Sequence, residues 1–136
     1  MTIRVLTAGL FALALVSTAA PAATCAGPNP AITSVVVKSV TSTGTVDVYH
    51  LVGTVTNLGS QGQPSNTLQF VDIYTDTVKH DDRGIPPLGA GKSYTFGYDW
   101  TRSADAGKGT TTMQFRIDTR QGSNCNPANG SSSITF

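Results

Sequence analysis

Two stretches of the chain alternate strictly between apolar and polar residues. In residues 93–101, Tyr94, Phe96, Tyr98 and Trp100 alternate with Thr95, Gly97 and Asp99; in residues 111–119, Met113, Phe115 and Ile117 alternate with Gln114, Arg116 and Asp118. A period of two with one apolar face marks a half-buried antiparallel strand. Weaker strand signals recur between turn residues, and no segment carries a helical period. Residues 32–40 read as a first strand, with Ile32, Val36 and Val40 on one face beside Ser34 and Lys38. Residues 46–57 and 67–75 read as the second and third, apolar on both faces. Residues 77–80 suggest a short edge strand, residues 81–91 a loop stiffened by Pro86-Pro87, and residues 132–136 a last strand. Seven short strands in about 110 residues is the count of an immunoglobulin-like antiparallel β-sandwich.

The first residues read differently. Arg4 precedes an uncharged, mostly apolar run over residues 5–16, and Ala20-Pro21-Ala22 fits a small-x-small cleavage pattern. Residues 1–22 are therefore expected to be a secretory signal peptide, followed by a single sandwich domain over residues 23–136. The apolar run falls short of the roughly 20 residues a membrane helix needs, and no later run reaches that length, so no integral membrane span is expected after cleavage. Nine Lys and Arg stand against eight acidic residues, every one of them Asp. That balance carries no footprint of nucleic-acid binding. The expected location is outside the cytoplasm: periplasm, cell surface or medium.

An exported chain makes the cysteines informative. Cys25 and Cys125 are the only two, and in an oxidising compartment an even pair reads as a disulfide. The competing reading, lipidation of Cys25, is poorly served by the preceding Ala22-Ala23-Thr24 and would leave Cys125 as an odd thiol.

The order of features resembles a known family. Pro30-Ala31-Ile32-Thr33-Ser34-Val35 is similar to the opening strand of the CARDB family (cell-adhesion-related domain found in bacteria). Val52-Gly53-Thr54-Val55-Thr56-Asn57-Leu58-Gly59 resembles its strand ending in Asn-x-Gly. Val71-Asp72-Ile73-Tyr74-Thr75-Asp76, Pro87-Leu88-Gly89-Ala90-Gly91-Lys92-Ser93 and Phe115-Arg116-Ile117-Asp118 resemble later strands and their approaches. The likeness spans about residues 30–136. Two features depart from it: residues 122–129 replace an acidic, Asn-rich tail, and Thr110-Thr111-Thr112 lacks an early aromatic. The resemblance implies a seven-stranded sandwich with an extracellular or surface role, and names no ligand.

Candidate chemistry is sparse. Gly89-Ala90-Gly91-Lys92-Ser93 suggests a phosphate loop, but position 86 is Pro and an alternating strand follows where that motif opens a helix. His50 falls in the second strand; neither it nor His80 sits in a catalytic signature. The residues most able to contact a ligand are His80, Asp81, Asp82 and Arg83, read as a polar loop, together with Trp100, the only Trp. Adjacent side chains on a strand point opposite ways, so the His-Asp-Asp run could converge on a metal only in a loop; no metal and no cofactor is expected. The stripe Tyr94, Phe96, Tyr98, Trp100 reads as core with Trp100 near the rim, and alternatively as a sugar-stacking face. A terminal Phe136 also fits an outer-membrane barrel, which needs more strands than these. The sequence thus points to an exported non-catalytic module, acting by binding, adhesion or spacing at a bacterial cell envelope. Its partner would be an envelope or extracellular protein or glycan, and residues 61–66, 79–88 and 103–108 would carry specificity. The alternatives are a carbohydrate-binding accessory module and, more distantly, a small secreted enzyme.

Overall fold

A computed structural model of the protein describes residues 25–105 and 109–136. The expected signal peptide lies outside the described residues, as do positions 106–108 of the third expected loop. The described chain forms seven strands: β1 (Pro30–Ser42), β2 (Val46–Asn57), β3 (Leu68–Thr75), β4 (Val78–Ile85), β5 (Ser93–Ser103), β6 (Thr112–Gln121) and β7 (Ser131–Thr135). One 3-10 turn, Pro127–Asn129, precedes β7. A three-stranded sheet runs β1-β2-β5 and a four-stranded sheet runs β4-β3-β6-β7, every pairing antiparallel. The two sheets have free edges, so the architecture is an open β-sandwich and not a closed barrel. β4 stays beside β3 and does not join β5, so the division is three and four strands.

The core is the set of inward positions that the period of two selects. Leu51 and Val55 of β2 and Phe96 of β5 face Val71 and Ile73 of β3 and Met113 and Phe115 of β6; all are buried. Gly53 is required here, because a Cβ on it would lie 2.1 Å from the Phe96 ring, its partner across the β2–β5 ladder. The ring fills the space the glycine leaves. Of the aromatic stripe on β5, Phe96 is in the core and Tyr98 and Trp100 pack against it half-buried, while Tyr94 is 38% exposed. The stripe runs from core to rim.

Two expectations need correction. β1 does not present Ile32, Val36 and Val40 on one face. Its register against β2 shifts between Ile32 and Ser34 and again between Val37 and Ser39. Each bulge inserts one residue and reverses the alternation beyond it. The first reversal puts Val35 and Val37 on the core and leaves Val36 51% exposed; the second restores the original alternation, so Val40 returns to the Ile32 side opposite Tyr49, where it is 47% exposed. The second correction concerns residues 81–85, expected as loop. They belong to β4, which pairs with β3 from Thr75↔Val78 to Gln69↔Ile85, so His80, Asp81, Asp82 and Arg83 all lie on a strand.

Asn57 closes the end of β2. Its Oδ1 accepts from the backbone N–H of Asn29 at 2.9 Å and of Gly59 at 3.0 Å. Its Nδ2 donates to the carbonyls of Gln61 at 2.8 Å and Leu88 at 3.0 Å. Gly59 sits so close to residues 27–29 that a Cβ would lie 1.9 Å from the Gly27 carbonyl oxygen. The Asn-x-Gly motif is thus a packing and hydrogen-bonding joint between the start of the described chain, the end of β2 and the approach to β5. Beside it, Cys25 and Cys125 form a disulfide with Cα atoms 5.8 Å apart.

Candidate functional site

The β3–β4 hairpin decides where the expected ligand residues go. The ladder shifts between Ile73↔Asp81 and Tyr74↔Lys79, leaving His80 as an extra residue in β4. His80 turns its ring edge-on to Trp100, centroids 4.9 Å apart at 68°, and its Nε2 lies 2.5 Å from Thr75 Oγ1. Asp81 pairs with Arg83 at 2.9 Å. Asp82 belongs to the opposite face of the sheet, where it pairs with Lys79 at 3.1 Å and Arg120 at 3.2 Å. The five candidate residues are thus divided among three places. Among the described residues, no group of three or more His, Cys or Asp side chains is gathered as a metal site.

The first place is the long side of the sandwich between β4 and β5. A cleft of about 550 Å³ there is lined by Asp81, Arg83, Gly97, Tyr98 and Asp99. Arg83 spans it: its Nε donates to the Gly97 carbonyl at 3.1 Å, and its guanidinium lies 5.4 Å from the Tyr98 ring centroid. Burial, then the Asp81 charge, pushes the Tyr98 phenol above its ordinary value. Arg83 occupies an acceptor on the free edge of β5, as a charge that blunts strand addition does.

The second is the outer face of the four-stranded sheet. Asp72, nearly buried in its centre, has Lys79 Nζ at 2.8 Å and Arg120 at 3.8 Å. Arg120 also pairs with Asp118 at 2.9 Å and lies 3.8 Å from the Phe70 ring centroid, while Arg116 lies 4.9 Å from that of Tyr74. The hydrogen bonds from Lys79, then Arg120, hold Asp82 below the ordinary Asp value; those to Asp72, then Asp82, hold Lys79 above its own.

The third is the end of the sandwich near Trp100. A pocket of about 220 Å³ is lined by Thr75, Asp76, Trp100, Thr110, Thr111 and Thr112. Among the described residues the Trp100 Nε1 is buried with no hydrogen-bond partner.

One arrangement has no local signal in the sequence. On the outer face of the three-stranded sheet His50 Nδ1 lies 2.8 Å from Asp99 Oδ1, and Nε2 lies 3.1 Å from Thr41 Oγ1. In the neutral ring Nδ1–H donates to the carboxylate, leaving Nε2 to accept from the hydroxyl. Hydroxyl, imidazole and carboxylate stand in the order of a nucleophile relay. They come from three strands, so only the β1-β2-β5 register brings them together. Asp99 is 64% exposed and the line crosses an open sheet face, whereas a working relay needs a site that excludes water.

The comparisons bear on the fold. No protein-family model matches the chain, and no curated protein matches it. Among solved structures it is similar to the CARDB domain of a protein from Pyrococcus furiosus. A crystal structure of that domain in complex with di-metal ions is 17% identical, with a TM-score of 0.59, covering 80% of this chain and 86% of that one. The solution NMR structure of the same domain is 17% identical, with a TM-score of 0.58, covering 82% and 95%. The fold is an immunoglobulin-like antiparallel β-sandwich. More narrowly, the fold is CARDB-like, as the strand motifs imply.

Proposed function

We propose that the protein is an exported, non-catalytic immunoglobulin-like module that acts by binding or spacing at a bacterial cell envelope. The observation that carries this reading is the Cys25–Cys125 disulfide. It joins the start of the described chain to its last connection, and such bonds persist where thiols are oxidised. The leader pattern over residues 1–22 and the CARDB-like fold agree with it. The non-catalytic part is supported by the open placement of Thr41, His50 and Asp99, and by the separation of His80 and Asp81 from Asp82.

Intact mass of the natively produced protein, alkylated with and without prior reduction, tests the proposal together with cell fractionation. The expected result is a mature mass beginning at Ala23, two alkylations only after reduction, and recovery outside the cytoplasm. A cytoplasmic chain that retains Met1 and alkylates without reduction overturns it.

A further inference from the structure

The outer face of β6 carries a guanidinium that no carboxylate engages. Among the described arginines, Arg83 and Arg120 pair with aspartates, and Arg102 donates to the carbonyls of Phe136 and Gly109. Arg116 forms no ion pair among the described residues. It is exposed but held: its Nη2 donates to Gln114 Oε1 at 2.5 Å, and its guanidinium lies 4.9 Å from the Tyr74 ring centroid. In the β6–β7 ladder Gln114 stands opposite Ser133 and Arg116 opposite Ser131. These four residues and Ser132 line a pocket of about 310 Å³ at the β7 edge of the four-stranded sheet. The groups left unused there are donors. Arg116 takes the Gln114 side-chain oxygen, which leaves the Nε2 amide, and the three serine hydroxyls make no hydrogen bond among the described residues. The described lining holds no acidic residue. Asp72, opposite Arg116 on the β3 side, is neutralised by Lys79 at 2.8 Å, and Asp118, two residues along β6, by Arg120 at 2.9 Å.

From this arrangement we infer that the pocket binds a tetrahedral oxyanion, a phosphate or sulfate group, either free or as the monoester of a larger molecule. A guanidinium has five N–H donors in a rigid fork, and only one goes to Gln114. Ser131 and Ser133 share a face of β7 two strand rises apart, roughly 6.8 Å. Hydroxyl hydrogen bonds of about 2.7 Å let them reach different oxygens of one tetrahedral group while the guanidinium holds the others. A carboxylate has two oxygens, and a guanidinium engages both in the usual paired geometry. The serines then gain little, so the pocket discriminates by oxygen count. A cation would meet Arg116 with like charge and find only donors. Contact with Tyr74 and Gln114 fixes the fork in advance, so little side-chain freedom is lost on binding. The space is at the low end of small-molecule sites and exceeds a bare oxyanion, which leaves room for the group that carries an ester. This inference is independent of the export reading.

The test uses the disulfide-closed protein and two-dimensional NMR of its backbone amides, the Gln114 side-chain amide and the Arg116 Nε–H. Inorganic phosphate, sulfate, glucose 6-phosphate, glucose 6-sulfate, acetate and glucuronate are titrated at constant ionic strength, which holds screening fixed. The expected result is saturable shifts confined to residues 114–116 and 130–133, with a dissociation constant on the order of 1 mM for at least one tetrahedral oxyanion, the level of a small exposed site. Acetate and glucuronate should bind roughly tenfold more weakly or not at all. Esters that bind more tightly than the inorganic ions identify an ester ligand; equal affinities identify the free ion. Arg116→Gln should abolish saturation, and Arg116→Lys, which keeps the charge without the fork, should weaken binding roughly tenfold. The pair Ser131→Ala with Ser133→Ala leaves the guanidinium and its ring contact in place. It should weaken the oxyanions and leave any carboxylate binding unchanged. Shifts that rise linearly without saturating, shifts centred on Lys38 or Lys92, carboxylates bound as well as phosphate and sulfate, or affinity unchanged in Arg116→Gln each overturn the site. Oxyanion affinity unchanged in the double serine variant overturns the tetrahedral selection.

Discussion

Asn57 spends both side-chain groups on backbone that no strand pairing satisfies. The N–H groups of Asn29 and Gly59 and the carbonyls of Gln61 and Leu88 converge on one fully buried amide. Removing the amide leaves the N–H groups of Asn29 and Gly59 unpaired, while the Leu88 carbonyl keeps the Gln63 N–H and the exposed Gln61 can turn to water; each unpaired buried group costs on the order of 1–3 kcal/mol. Asn57→Ala should therefore lower unfolding stability by about 3–5 kcal/mol, beyond the loss of one ordinary contact. Asn57→Asp should also destabilise, because a carboxylate accepts but cannot donate to Gln61 and Leu88. Urea denaturation of the three proteins decides; a variant within about 0.5 kcal/mol of wild type would mean that water replaces the amide. The Asn-x-Gly pattern was visible in the sequence, but its reason was not. The four partners come from three separate stretches of chain, and nothing local in residues 57–59 specifies them.

At the scale of elements, the legible strands were those whose burial is one-sided. β5 and β6 alternate because each has one face in the core, and β2 reads clearly because its Val and Thr content suits either face. β4 was read mostly as loop because Val78-Lys79-His80-Asp81-Asp82-Arg83 carries no apolar face. It is an edge strand held by β3 on one side, and its polar residues find partners on neighbouring elements and not in a core. The bulges in β1 and β4 were equally invisible: one inserted residue changes which side chains meet without changing composition. The candidate site dispersed for this reason. His80 went to Trp100, and Asp82 went to Lys79 and Arg120 across the sheet. The ion pairs on that outer face make an element-scale prediction. The Asp82 carboxyl is held below its ordinary 3.8 by Lys79, then Arg120. A depressed carboxylate contributes stability above its unfolded value and loses it as pH falls through the folded one. Thermal midpoints should thus fall below about pH 4, more steeply in the wild type than in Asp82→Asn, with the difference shrinking at high salt. Lys79 acts in the opposite sense: its raised value contributes stability below 10.5 that is lost as pH rises through the folded value. Identical acid limbs in the two proteins would show that these exposed pairs contribute nothing measurable.

Across the whole molecule, the two sides of the sandwich are closed by different means. β1 lies beside β7 along one side, while Arg83 bridges β4 to β5 along the other. Residues 25–29, which precede β1, have no ladder of their own. They are held by Leu58 N–H donating to the Asn29 carbonyl, by Cys125 N–H donating to the Pro28 carbonyl, and by the disulfide. Those hydrogen bonds persist when the bond is reduced, so the native state should change little and the unfolded state should change most. The bond spans a sequence separation of 100; cutting it frees a loop whose closure entropy is worth on the order of 4–5 kcal/mol on the chain-entropy model. Reduction, or Cys25→Ser with Cys125→Ser, should lower stability by that order and raise the urea slope, because the open unfolded chain exposes more surface. Backbone amide exchange separates this from a native-state effect. If the bond acts on the unfolded chain, reduction accelerates exchange throughout the core of β2, β3 and β6 by a common factor. If it acts by pinning the segment before β1, exchange accelerates only at Asn29, Leu58 and Cys125, and the global midpoint stays where it was.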